Sequence, residues 1–181
     1  MFRFGLVVVL LIYGINVCIT THQDCTKTGY NLPVEKSCKA DDHVKTLGLQ
    51  PLVEGGFYRE TYKSEHLSVI YFLLPFETFS AWHRVRHSDE VWSFHDGCPL
   101  AMHFIYVNET YERIELGSDR FSVSIPKDTW QAAETIGDCH SLVGNVVAPP
   151  FIWQNFEMPP LDELLKQFPK HEEILRRFTR Q

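Results

Sequence analysis

The chain has 181 residues, of which 44% are hydrophobic, 13% aromatic and 22% charged. It is too apolar for a disordered chain and too short for two ordinary domains. Its formal charge is −6, and no basic run exceeds the pair Arg176 and Arg177, so the attraction behind most nucleic-acid binding is missing.

At the N-terminus, residues 1–20 place Arg3 ahead of an apolar stretch from Leu6 to about Ile19, after which the chain turns polar. That is the layout of a secretory signal peptide. A membrane-spanning helix needs about 20 predominantly apolar residues, and this stretch is shorter and interrupted by Gly14 and Asn16. The reading is a protein secreted or held in the lumen of the secretory pathway, with no membrane attachment once the signal is removed. Cys18 leaves with the signal, and Cys25, Cys38, Cys98 and Cys139 remain, an even number in a chain bound for an oxidising compartment. Four cysteines allow three pairings. Cys25 with Cys38 and Cys98 with Cys139 is the favoured one, with buried free thiols as the alternative.

Residues 21–40 lack periodicity and contain Gly29 and Pro33, which predicts an irregular arm. Asp41 is placed to cap a short helix through His43, Val44 and Leu47, ending at Gly48. From residue 56 to about 148 the pattern changes to short runs rich in aromatic and β-branched residues: SVIYFLL, FSAWHRV, EVWSFH, AMHFIYV, YERIEL, FSVSI and SLVGNVV. Turn-like PFET, DGCP, NET, GSD and PKDT separate them, and this spacing predicts an antiparallel sandwich or barrel. Asn108-Glu109-Thr110 is an N-glycosylation acceptor sequence in one of those turns. Beyond Ala148, PPFIWQNFEMPP reads as a structured loop. Two short helices follow, carrying apolar faces of Leu161, Leu164, Leu165 and Phe168 and of Ile174, Leu175 and Phe178. They are expected to cover or buttress the β body. The organisation is a signal peptide over 1–20, an arm over 21–40 and a single domain over 41–181.

The densest chemistry lies in SAWHRVRHSDEVWSFHDGCPL, residues 80–100. Strand alternation puts His83 and Val85 on one face and Glu90, Trp92 and Phe94 on another. A His, a position two further on, a Glu and a Gly at this spacing are the skeleton of the first cupin motif, with Val85 where a second His normally stands. In the second motif Pro126 is kept, Asp128 replaces a Gly and Gln131 replaces a His. Together with LGLQPLVEGGFYRETYKS, LVGNVVAPPF and the C-terminal LDELLKQFPKHEEILRRFTR, these stretches resemble the cupin-5 family over residues 43 to 180. The departures are Leu52 and Val53 for His-Pro, Ser93 for a frequent His, Cys98 for an acidic residue, and Asp128 for Gly.

The resemblance implies an all-β fold, a double-stranded β-helix or cupin jelly-roll barrel with short flanking helices at both ends. It also implies a homodimer and an interior pocket for a small molecule. The expected catalytic pair is His83 and Glu90, His83 as base and Glu90 as its orienting partner. The expected ligand-binding residues are Glu54, Arg59, Glu60, Gln131, Trp92 and Trp82, with Tyr58 and Tyr71 as candidate acids. No cofactor is expected. A divalent metal on His83 and Glu90 is the weaker alternative, because Val85 cannot ligate and Gln131 is a poor donor. By analogy with the superfamily's sugar isomerases and epimerases, the function read from the sequence is a metal-independent isomerase or epimerase acting on a sugar or sugar phosphate. The alternative is a noncatalytic binding module.

Overall fold

The computed structural model describes residues 34–180. A helix α1 (Val34–Leu47) leads into a two-residue strand β1 (Gln50–Pro51) and then β2 (Phe57–Lys63), β3 (Ser68–Leu74), β4 (Phe79–Val85), β5 (Asp89–Gly97), β6 (Leu100–Ile105), β7 (Tyr111–Leu116), β8 (Ser122–Ile125), β9 (Trp130–Thr135) and β10 (Ser141–Ala148). A short β11 (Phe156–Glu157), α2 (Leu161–Gln167) and α3 (Glu172–Arg177) complete the order. The strands form two antiparallel sheets, β1-β2-β3-β10-β5-β8 and β11-β4-β9-β6-β7. This is the jelly-roll arrangement of an all-β fold, with helices at both ends.

Two elements differ from the sequence reading. α1 is already helical at Val34, inside the expected irregular arm, because Glu35, Lys36, Lys39 and Ala40 are good helix formers that outweigh the lack of apolar periodicity. Trp130–Thr135, which carries no strand signal, is β9. The signal peptide, most of the arm and the Cys25–Cys38 bridge fall on side chains outside the described part of the structure.

The aromatic and branched residues between the sheets form the main core. Phe72, Leu74, Trp92, Leu100, Met102 and Phe104 are buried there. On the outer side of the second sheet lies another core, where Trp82, Ile105 and Trp130 pack against Leu164, Phe168, Leu175 and Phe178. The C-terminal helices therefore act as a buttress, as their apolar faces predict. The contact is also polar: the Trp82 indole donates to Ile174 O at 3.1 Å, and the Trp82 amide donates to Phe178 O at 3.0 Å. His103 belongs to this layer. It lies 4.7 Å from the Phe178 ring, and burial pushes its imidazole down to about 4, so it is neutral near pH 7 and serves packing.

Cys98 and Cys139 form a disulfide with Cα atoms 5.5 Å apart. It closes the end of the β5–β10 pair, where Ser141 is in register with Gly97. Constraining a loop of this length stabilises the fold by about 4 kcal/mol in the chain-entropy account. Asp128, the residue standing for the family's Gly, sits at φ 66. Asp is among the few side chains that tolerate this left-handed region, and its Oδ1 accepts the His87 amide at 3.3 Å.

Candidate functional site

Bordering the packed core at Trp92 and Ile70, the sheets enclose a cavity of about 410 Å³, within the usual range for a small-molecule site. Strand parity decides who faces it. From β4, His83 and Val85 point in; from β5, Glu90 and Trp92; from β2, Tyr58 and Glu60; from β10, Asn145 and Val147. The mouth is aromatic: Phe151, Trp153 and Phe156 meet edge to face, with centroids 5.1 to 6.1 Å apart.

His83 is 4% exposed. Its Nδ1 lies 2.7 Å from Ala81 O, so Nδ1 carries the proton in the neutral ring and Nε2 is left with its lone pair. The ring stacks on Phe156 at 5.5 Å. Nε2 faces the Glu54 carboxylate at 3.5 Å. Glu54 is itself buried and accepts the Ser80 hydroxyl at 3.1 Å. Burial pushes the Glu54 carboxyl above its ordinary value; His83 and Ser80 pull it back, and the Glu90 charge adds to the rise. The backbone behind Glu54 is held firmly: Arg180 donates to Glu54 O and Phe79 O at 3.0 to 3.3 Å. The Ala81 amide also donates to Glu54 O, at 2.8 Å.

Glu90 is not the partner of His83. Its two oxygens accept the Gln131 and Asn145 side-chain amides, each at 2.6 Å. A carboxylate only accepts, so both amides must turn their NH2 groups toward it. Asn145 Oδ1 then has no partner, and neither has the Trp92 indole nitrogen. Both residues line the cavity, but the two unpaired atoms are themselves buried behind its surface.

Several sequence expectations are corrected by parity. Arg59 follows Tyr58 on β2 and faces the other way, donating to Leu47 O at 2.8 Å. Trp82 precedes His83 and lies in the outer core against the C-terminal helices. Tyr71 also faces outward, its ring 5.9 Å from that of His95, whereas Tyr58 lines the cavity. Gln131 is paired in register with His83 but acts through Glu90. Glu54, Glu60 and Trp92 are where the sequence reading puts them. Asn145, Ser80 and the three mouth aromatics were missed. A lone Asn at the inward parity of Val143 and Val147 is the signal for the first.

The donor set does not fit the metal that the cupin His-x-His motif serves. Val85 presents methyl groups at the second position, the Gln131 amide donates to Glu90, and both Glu90 oxygens already hold hydrogen bonds.

The family model described as Cupin superfamily (DUF985) matches residues 41–159. The chain belongs to the cupin-5 family. A solved structure of a protein from Shewanella oneidensis is 35% identical, with 78% of this chain and 97% of that one covered at a TM-score of 0.74. A hypothetical protein from Leishmania major is 27% identical, covering 78% and 99%, also at 0.74. Oxalate decarboxylase from Lactobacillus farciminis, in a formate complex, shares the fold at 14% identity and a TM-score of 0.55, covering 75% of this chain and 43% of that one. A search of curated proteins found no match. This cupin-5 chain differs from a metal-binding cupin at the positions just described.

Proposed function

We propose that this cupin-5 protein binds a neutral sugar or a similar polyhydroxylated molecule and isomerises or epimerises it without a metal. The observation that carries this reading is the His83–Glu54 pair beside the cavity: a base whose lone pair is free of the backbone, coupled to a carboxyl group with a raised pKa. Such a pair suits proton removal next to a carbonyl. His83 Nε2 takes the proton, Glu54 shares it, and Tyr58 is the group placed to return one. The Tyr58 hydroxyl and the Glu60 carboxylate on the cavity wall suit hydroxyls, which both accept and donate. The sugar-phosphate version of the reading is disfavoured by charge. Glu54, Glu60 and Glu90 line the cavity with Lys63 as its cation, and Lys63 is engaged with Phe151 O at 2.9 Å.

The test is a panel of neutral monosaccharides and their phosphates, scored by thermal shift and by solvent deuterium entering the carbon beside the carbonyl. Stabilisation by a neutral sugar with exchange is expected. Stabilisation without exchange establishes instead a noncatalytic binding module, the reading that the satisfied Glu90 hub also serves. Preference for phosphates overturns the charge argument.

Export belongs to the same proposal. It is supported by Arg3 and the apolar stretch after it, by the Cys98–Cys139 disulfide, which is a bond of oxidising compartments, and by the exposed turn carrying Asn108. Asn108 Oδ1 accepts the Thr110 amide and hydroxyl at 3.1 and 2.7 Å. Protein from the medium of eukaryotic cells is expected to begin near residue 21, to lose mass on deglycosylation and to run as a dimer by light scattering, as the family resemblance implies. Among the described residues no helix is long and apolar enough to cross a membrane.

A further inference from the structure

Among the described residues, His140, 2% exposed, is the side chain with two buried polar atoms, its ring nitrogens, left without a partner. A native fold rarely leaves such a group unsatisfied, because an orphaned donor or acceptor keeps the full cost of its desolvation. Its neighbours are two further ligand-type side chains. His43, from α1, has its ring 5.1 Å from the His140 ring and its Nε2 2.9 Å from Asp96 Oδ2. One potential ligand atom from each of His43, Asp96 and His140 lies within 4.8 Å of the other two.

We propose that His43, Asp96 and His140 form a zinc site that fastens α1 to the end of the β5–β10 pair. Two imidazoles and one carboxylate, with water in the fourth position, are a normal zinc donor set, whereas calcium and magnesium require mainly oxygen. Zinc takes its ligands at about 2.0–2.2 Å, so the three groups must draw together. Room for that is available, because His43 and Asp96 are 29% and 52% exposed at the side chain. An ion pair between His43 and Asp96 alone would hold the helix equally well, but it leaves His140 orphaned, and a metal does not.

The corner is also braced covalently. Asp96 lies two residues before Cys98 and His140 directly follows Cys139, so the disulfide braces the strands that carry two of the three ligands. The Cys98 amide also donates to His140 O at 2.8 Å. Gly97 permits the approach: a Cβ there would lie 2.0 Å from His140 O. The site is separate from the cavity, since Glu90 and Asp96 are six residues apart on β5, about 20 Å at 3.3 Å per residue.

The test is zinc titration of the chelator-treated full chain by calorimetry, beside His140→Gln, His43→Gln and His83→Gln. One equivalent of zinc per chain is expected, with a rise in the unfolding temperature. Binding should be lost in His140→Gln, weakened at least about tenfold in His43→Gln, and unchanged in His83→Gln. If His140→Gln fails to fold, the more exposed His43→Gln carries the comparison. Equal affinity in the His43 variant and the wild type, loss only in His83→Gln, or no zinc binding overturns the site.

Discussion

Replacing His83 by Gln is expected to lower proton exchange on the bound substrate by roughly 10²–10⁴-fold, the usual contribution of a positioned general base. Ligand affinity should fall far less, because Tyr58, Glu60 and the mouth aromatics stay in place. Gln can still donate to Ala81 O, so the fold should survive, as a denaturant midpoint near that of the wild type will show. The readout is deuterium incorporation measured at saturating ligand. Exchange that persists in His83→Gln moves the chemistry to another base, and binding lost together with exchange makes His83 a recognition group. The acid limb of the wild-type pH profile should lie above the ordinary carboxylate range. Burial raises Glu54, and the pair must shed its shared proton before Nε2 accepts one from substrate. For stability the sign is the reverse of the usual carboxylate: the contribution of Glu54 is complete below its unfolded pKa and is lost as pH rises through the folded one.

What was legible in the sequence follows from how each strand is covered. β4 and β5 carry aromatic and β-branched residues in alternation, so their existence and the inward set of His83, Glu90 and Trp92 are readable. β9 is not, because the helices α2 and α3 cover its outer side. Trp130, Gln131, Ala132 and Ala133 are all buried, no period of two remains, and Ala, Gln and Glu favour helix by propensity. The errors at Arg59 and Trp82 come from collecting neighbours in sequence where alternation requires them to part. Glu54 was found as a pocket residue, but its pairing with His83 was not, since the contact joins the turn before β2 to β4. The His43, Asp96 and His140 cluster joins three distant segments and has no motif spacing. Only the fold brings these groups together.

Glu90→Ala is expected to cost about 3 kcal/mol of stability, a large effect for a residue without a catalytic role. The carboxylate is the common acceptor of two buried amides; removing it orphans both donors, at about 1–3 kcal/mol each, and opens a void beside the cavity. Glu90→Gln separates shape from hydrogen bonding. The new amide keeps one accepting oxygen and offers an NH2 that cannot face another NH2, so either Gln131 or Asn145 has to rotate. Gln131 is 2% exposed and held in the β4–β9 pairing, whereas Asn145 borders open space. Asn145 therefore flips, and the wall behind the cavity surface gains an N–H donor where it had a carbonyl oxygen. Denaturant midpoints should place Glu90→Gln within about 1 kcal/mol of the wild type, while the ligand panel should shift toward molecules that accept a hydrogen bond at that position. Equal stability of Glu90→Ala and the wild type would dismiss the hub. A stable Glu90→Gln with unaltered ligand preference would show that Asn145 does not read the ligand.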